Sequence, residues 1–129
     1  QIERVARTKA AIELARSNPE HLIEQADAIE WLEKSLVQRS DNHVSVFHHT
    51  IAWQYFPREL KAKGEALFQD HGAAATAANP IVRISMESDG KGAEEGALLT
   101  MTIWPFGETF DLGRADFHGR WVDWRNPVW

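Results

Sequence analysis

Phe47-His48-His49-Thr50-Ile51-Ala52-Trp53-Gln54-Tyr55-Phe56-Pro57 decides how the rest of this chain is read. An apolar run that includes Val44, Val46 and Phe47 breaks into two adjacent histidines, an aromatic-amide-aromatic cluster and then a proline. Proline suits the first position of a helix, where its missing N–H would be unpaired anyway. The stretch therefore reads as a strand ending in a polar, aromatic turn that hands over to a helix. In open α/β proteins ligands bind in the crevice beyond the carboxyl ends of the strands. Polar and aromatic groups gathered there carry more weight than the same groups elsewhere.

Downstream, Leu60, Gly64, Leu67 and Phe68 mark one side of that helix, which Gly72 is expected to close as a left-handed cap. Pro80 opens a strand over residues 81–87 in which Val82, Ile84 and Met86 alternate. Strand, helix and strand in succession imply a right-handed parallel crossover. Residues 98–104, 108–114 and 120–124 read as three more strands, joined by Pro105-Phe106-Gly107 and Phe117-His118-Gly119, so this end is antiparallel. The segment 88–96 reads as a solvated polar loop. Upstream, Asp27 and Glu30 fit a capping box opening a helix with Ile29, Leu32 and Leu36 on one face. Residues 21–25 are a short candidate strand. Residues 1–16 read as a helix with Ile2, Val5, Ala6, Ile12 and Ala15 near helical spacing.

The expected fold is a single three-layer α/β domain over residues 1–129. Its parallel strands lie at 44–48 and 81–87, with 21–25 as a third, and an antiparallel β-hairpin end follows. A helix-first start implies sheet strands upstream, so the chain is expected to be the later part of a longer polypeptide. An unpaired strand edge would then be hidden by self-association.

Composition limits the function classes. The 129 residues are 43% hydrophobic and 26% charged, the balance of an ordinary globular domain. Net charge is −5 with no Lys/Arg cluster, which argues against nucleic acid, where phosphate neutralisation supplies most of the affinity. No apolar run approaches the ~20 residues that span a bilayer. Arg4, Arg7, Glu3 and Glu13 exclude a signal peptide in the first twenty residues, so a cytoplasmic location is expected. With no cysteine, disulfides, thiolate chemistry and cysteine-ligated metal centres are ruled out. Four of the six tryptophans, Trp104, Trp121, Trp124 and Trp129, fall in the last quarter, where burial in a core or an interface explains them.

Several stretches resemble a bacterial family known as domain of unknown function 2332. They are Ala26-Asp27-Ala28 with Trp31-Leu32, Val46-Phe47-His48 with Trp53-Gln54-Tyr55, Ile84-Ser85-Met86-Glu87, Thr102-Ile103-Trp104-Pro105, and Arg114-Ala115-Asp116-Phe117-His118-Gly119-Arg120-Trp121. The resemblance runs from end to end. It implies a three-layer, Rossmann-like α/β layout similar to class I S-adenosylmethionine-dependent methyltransferases, of which this chain would be the C-terminal half. The glycine-rich loop that would hold the cofactor is not in this sequence. No cofactor is therefore expected in the fragment, and S-adenosylmethionine only in a full-length chain.

The candidate site residues are His48, Trp53, Gln54, Tyr55, Glu87 and His118, as ligand-binding rather than assigned catalytic groups. On a strand, His48 and His49 point to opposite faces and cannot share a metal there. Without H-x-H or H-E-x-x-H spacing no metal site is expected. Trp53, Gln54 and Tyr55 either bracket a planar small-molecule ligand or wedge their loop against the following helix. Arg83 and Glu87 share a strand face, as an ion pair or with Glu87 directed at substrate. Asp116 either fixes the His118 imidazole or stabilises the turn. Three functions follow: a small-molecule-binding, methyltransferase-like protein, a non-catalytic interaction module, or a metal-assisted hydrolase.

Overall fold

The computed structural model describes residues 2–18 and 23–126. Three helices, α1 (Ile2–Ser17), α2 (Ala28–Val37) and α3 (Arg58–Ala73), accompany strands β1 (Ser45–Thr50), β2 (Ile81–Glu87), β3 (Ala97–Trp104), β4 (Glu108–Ala115) and β5 (Val122–Trp124). Two short 3-10 turns, Trp53–Tyr55 and Ala93–Glu95, complete the described elements. The strands form one sheet in chain order. β1 and β2 run parallel, from Ser45 opposite Ile81 to Thr50 opposite Met86, and all later pairs are antiparallel. The mixed α/β character and the parallel-then-antiparallel order agree with the sequence reading.

Local chemistry sets the helices. Asp27 caps α2 with its Oδ1, which accepts from the N–H groups of Ile29 and Glu30 at 2.9 and 3.1 Å. A cap of this kind contributes about 1 kcal/mol. Ile29, Leu32 and Leu36 are buried on the inner face of α2, as their spacing predicts. Pro57 is the N-cap of α3, one residue earlier than the expected first helical position. Gly72 does not close α3, which continues to Ala73 and is capped by Ala74. It is instead a buried helical glycine, and any Cβ there would strike the Trp104 indole. Close packing, not backbone handedness, requires glycine at that position.

The core lies between the sheet and the α2–α3 pair. Phe68 of α3 stacks on Trp104 of β3 with ring centroids 5.6 Å apart and 7° between planes. It also meets Phe47 of β1 edge-on at 5.7 Å, and Phe47 in turn meets Trp31 of α2 at 6.3 Å. Leu32, Leu36, Ala75 and a fully buried Ile81 complete the cluster.

Both packed helices therefore cover the same face, the one that carries Phe47, Ile81 and Trp104. The opposite face presents Val82, Ile84, Met86, Leu99, Met101 and Ile103, all half-buried, and an exposed Val46. Helix α1 buries no side chain, and its Ile2, Val5, Ile12 and Leu14 are exposed. Among the described residues the domain thus has two layers, not the three expected. The physical reason is that α1's apolar residues do not line up into a stripe able to cover a sheet. Residues 23–25 carry no strand, while 21–22, like Trp129, lie outside the described residues.

Candidate functional site

The carboxyl end of β1 is organised around Glu87, the last residue of β2. Ile51 follows β1 with φ of +49°, a left-handed conformation that is rare for a β-branched residue. It reverses the chain so that the next three N–H groups converge. Ala52 and Trp53 donate to Glu87 Oε1 at 3.1 and 3.0 Å, and Gln54 donates to Oε2 at 3.1 Å. The carboxylate thus occupies the amino end of the Trp53–Tyr55 turn, the place where helical geometry favours an anion. Ser88, next along, donates its N–H to Gln54 Oε1 at 2.9 Å, locking the two chain segments together.

His49 adds the fourth donor, with Nδ1 2.7 Å from Glu87 Oε1. Its other nitrogen, Nε2, accepts from Arg83 Nε at 3.1 Å. Arg83 also grips Glu65 of α3 with Nη1 at 2.8 Å, and its guanidinium carbon lies 4.6 Å from the centroid of the Trp53 ring. Trp53 stacks against His49 at 5.1 Å and leans on Phe56 at 5.3 Å. Burial and the neighbouring Arg83 charge hold the His49 pKa below its ordinary value, against the opposing pull of Glu87. For Glu87, burial favours the neutral acid. The hydrogen bonds from His49, Ala52, Trp53 and Gln54 outweigh it and leave the carboxyl below the usual range.

Of the six candidates, Glu87, Gln54 and Trp53 meet in this cluster. Gln54 is half-buried through its backbone and its amide oxygen, and Trp53 wedges between β1, α3 and Phe56. Tyr55 is 75% exposed. His48 lies on the opposite sheet face from Glu87 and is exposed, while its neighbour His49 takes the inner position. His118 is remote from the cluster, beside Glu3, Arg4, Arg7 and Arg120. Arg83 and Glu87 share a face as expected but do not pair with each other: Arg83 pairs with Glu65, and both touch His49, one at each ring nitrogen. Asp116 accepts from the backbone N–H of His118 and from Arg120, not from the imidazole. Among the described residues, no group of three His, Asp or Glu side chains is placed to hold a metal.

The loop after β2 is better anchored than its composition implies. Asp89 forms a two-pronged pair with Arg114 at 2.9 Å, and Arg114 also donates to the carbonyls of Glu95 and Gly96. Only 6% of Arg114 is exposed. The Arg114 guanidinium holds the Asp89 carboxyl well below the ordinary carboxylate range. Asp116 is held down likewise by Arg120.

Beside the polar cluster opens a cavity of about 340 Å³. Trp31, Ala28 and Leu32 of α2 line one side, and Phe47, Trp53, Phe56 and Phe68 the other. Val46, His48 and His49 of β1 and Ala52 beyond it complete the lining. Sequence reasoning missed Trp31, Phe56 and Arg83 as parts of this region. A signal for Trp31 existed, since it is the large aromatic on α2 that falls off the buried Ile29, Leu32, Leu36 stripe.

This α/β arrangement, with its aromatic cleft at a strand edge, defines a class by architecture, and sequence comparison supplies the family. The chain belongs to the family described as "Uncharacterized protein conserved in bacteria (DUF2332)", whose model matches residues 1–124. No curated protein and no solved structure matches the chain. Among the described residues, no helix is long and apolar enough to cross a membrane.

Proposed function

We propose that this chain is a binding module, and that the aromatic cleft between α2 and the Trp53–Phe56 segment receives an apolar group. The single observation that carries this is the cleft itself: about 340 Å³, with nine apolar residues among the eleven that line it and His48 and His49 as the other two. Apolar concavities of a few hundred Å³ with few polar groups are the usual form of binding sites. The neighbouring polar groups support binding over catalysis. Glu87 is saturated by four donors, and both nitrogens of His49 are engaged, so neither is free to move a substrate proton. They act as a rigid floor that fixes Trp53.

The test is titration with anilinonaphthalene sulfonate, an amphiphilic aromatic dye. Saturable fluorescence enhancement is expected, weakened roughly tenfold in Trp31→Ala and in Phe56→Ala, about the worth of one buried aromatic contact. Absence of saturable binding, or binding by both variants as tight as by the unchanged chain, overturns the reading.

A second reading has one observation in its favour. A parallel β1–β2 pair followed by antiparallel strands is the order expected in a methyltransferase-like, Rossmann-like domain, in which this chain would line the side of a nucleotide-like ligand. The described residues do not fit S-adenosylmethionine itself: the N–H groups at the carboxyl end of β1 are occupied by Glu87. Calorimetric titration with adenosine, a nucleotide-like probe, separates the two readings, since heat of binding by this chain would favour the second.

A further inference from the structure

His49 stands where the polar cluster meets the aromatic cleft. Its side chain lines the cavity and stacks on Trp53, 26° from parallel. The ring meets opposite demands at its two nitrogens: the Glu87 carboxylate accepts and Arg83 Nε donates. The neutral ring with its proton on Nδ1 satisfies both. A second proton would sit on Nε2 and set one N–H against another across 3.1 Å, with two positive charges in contact.

Of those two cations, Arg83 is the one that must move. An imidazolium keeps Glu87 at 2.7 Å and gains from its place over the Trp53 ring. Arg83 has a second anchor in Glu65 of α3, which is half exposed, so it can swing outward and keep a charge partner. Its guanidinium carbon, however, lies 4.6 Å from the Trp53 ring centroid and 4.9 Å from that of Phe68, and both rings are walls of the cleft. We propose that the cleft is proton-gated: it takes its apolar ligand while His49 is neutral, and a proton taken up there frees Arg83 from Trp53 and Phe68 and weakens binding. This rests on the reading of the cleft as a binding site and supplies its regulation.

The charged groups that act on His49 are Arg83 and Glu87 of β2 and Glu65 of α3. Helix α2 lines the cavity with Ala28, Trp31 and Leu32 and brings no ionisable side chain into it, while Lys61 of α3 donates to the Gln54 carbonyl. Burial and the Arg83 charge oppose protonation of His49, and Glu87 favours it. The other histidine of the lining, His48, is exposed and its imidazole has no hydrogen bond among the described residues, so its protonation breaks no contact. Coupling of proton and ligand is reciprocal. A ligand in the cleft lowers the His49 pKa by the same factor by which the proton weakens the ligand.

The test uses this chain unchanged and N-phenyl-1-naphthylamine, an apolar fluorescent probe that stays uncharged across the range used. Binding is measured from about pH 8 to about pH 5, the span in which histidine changes charge. Affinity is expected to fall roughly tenfold toward the acid end, within the usual range of coupling between two sites. NMR of the imidazoles is expected to show His49 titrating at lower pH with probe bound than without. The pH dependence should vanish in His49→Asn and persist in His48→Gln. Equal affinity at both ends of the range, or the same His49 titration with and without probe, overturns the gate and leaves the cleft reading intact. A dependence that survives in His49→Asn, or is lost in His48→Gln, overturns it too, since another group would then be responsible. Absence of saturable probe binding at the alkaline end overturns the cleft reading itself.

Discussion

His49 Nδ1 lies 2.7 Å from Glu87 Oε1, and this contact fixes which nitrogen of the imidazole carries its proton. Arg83 Nε can only donate, so His49 Nε2, 3.1 Å away, must accept. The remaining proton sits on Nδ1 and points at the carboxylate. The ring is neutral, because burial and the Arg83 charge both disfavour the imidazolium. Nitrogen-15 NMR at neutral pH is expected to show the Nδ1–H tautomer for His49. An Nε2–H tautomer or an imidazolium would contradict the arrangement.

Glu87→Gln removes the charge from a site built of donors. One half of the new amide is itself a donor, set against the N–H groups of Ala52, Trp53 and Gln54 and against His49. Unsatisfied buried donors cost about 1–3 kcal/mol, and a loss of that order is expected in urea unfolding. The left-handed Ile51, with φ of +49°, adds to the case, since a strained turn persists only while its surroundings hold it. A change below about 0.5 kcal/mol, the scatter of ordinary surface substitutions, would show that the carboxylate is dispensable.

Acid should destabilise the domain in two stages. His49 has a folded pKa below 6.5, so the unfolded chain takes up its proton first. Its contribution is whole above 6.5 and is lost as pH falls toward the folded value. Glu87 lies below 4.5, and Asp89 and Asp116 below 3.8. Their contributions are present above those values and disappear as pH falls through the lower folded ones. All four groups act in one direction. Thermal melts are expected to be flat from about pH 7 upward and to decline below it, steeply in the carboxylate range. His49→Asn keeps an N–H donor near Glu87 without titrating, and should remove the first stage only.

Gly72→Ala introduces a methyl group where the Trp104 ring already lies. Overpacking of a core in this way costs about 1–3 kcal/mol. The variant should also weaken the near-ultraviolet circular dichroism that the stacked Phe68–Trp104 pair produces. An unchanged stability and spectrum would mean that α3 does not approach β3 so closely.

The sequence disclosed what depends on local periodicity and capping. Asp27 with its Ile29, Leu32, Leu36 stripe, the alternation through Val82, Ile84 and Met86, and the hairpin from β3 to β4 all follow from short-range pattern. It did not disclose which face each helix covers. That depends on three-dimensional crossing, and α1's apolar residues, spread around the helix rather than gathered on one face, bury nothing. Gly72 shows a related limit, since a glycine near a helix end resembles a cap until a distant tryptophan is seen against it. At the site, strand ends located Glu87 and Gln54 correctly beside one another, because a parallel crossover brings both to one edge. His48 and His49 show the cost of one residue of register: adjacent on the chain, they divide between an exposed face and the Glu87 cluster. The reach of Arg83 to Glu65 and of Asp89 to Arg114 is long-range in the chain and leaves no trace in spacing.

Gly64 and Gly72 sit on the inner side of α3, one against Trp53 and the other against Trp104. Eight residues separate them, about 12 Å along the axis at 1.5 Å per residue. The two indoles serve as bearings, one near the middle of a rigid rod and one at its carboxyl end. A rod seated at two points cannot slide freely toward the sheet, but it can tilt. Lifting Trp53 by a partner in the cleft would therefore reach the Trp104 end of the core as a rotation of α3 rather than a displacement. The polar end of β1 and the aromatic interior are in this sense opposite arms of one lever.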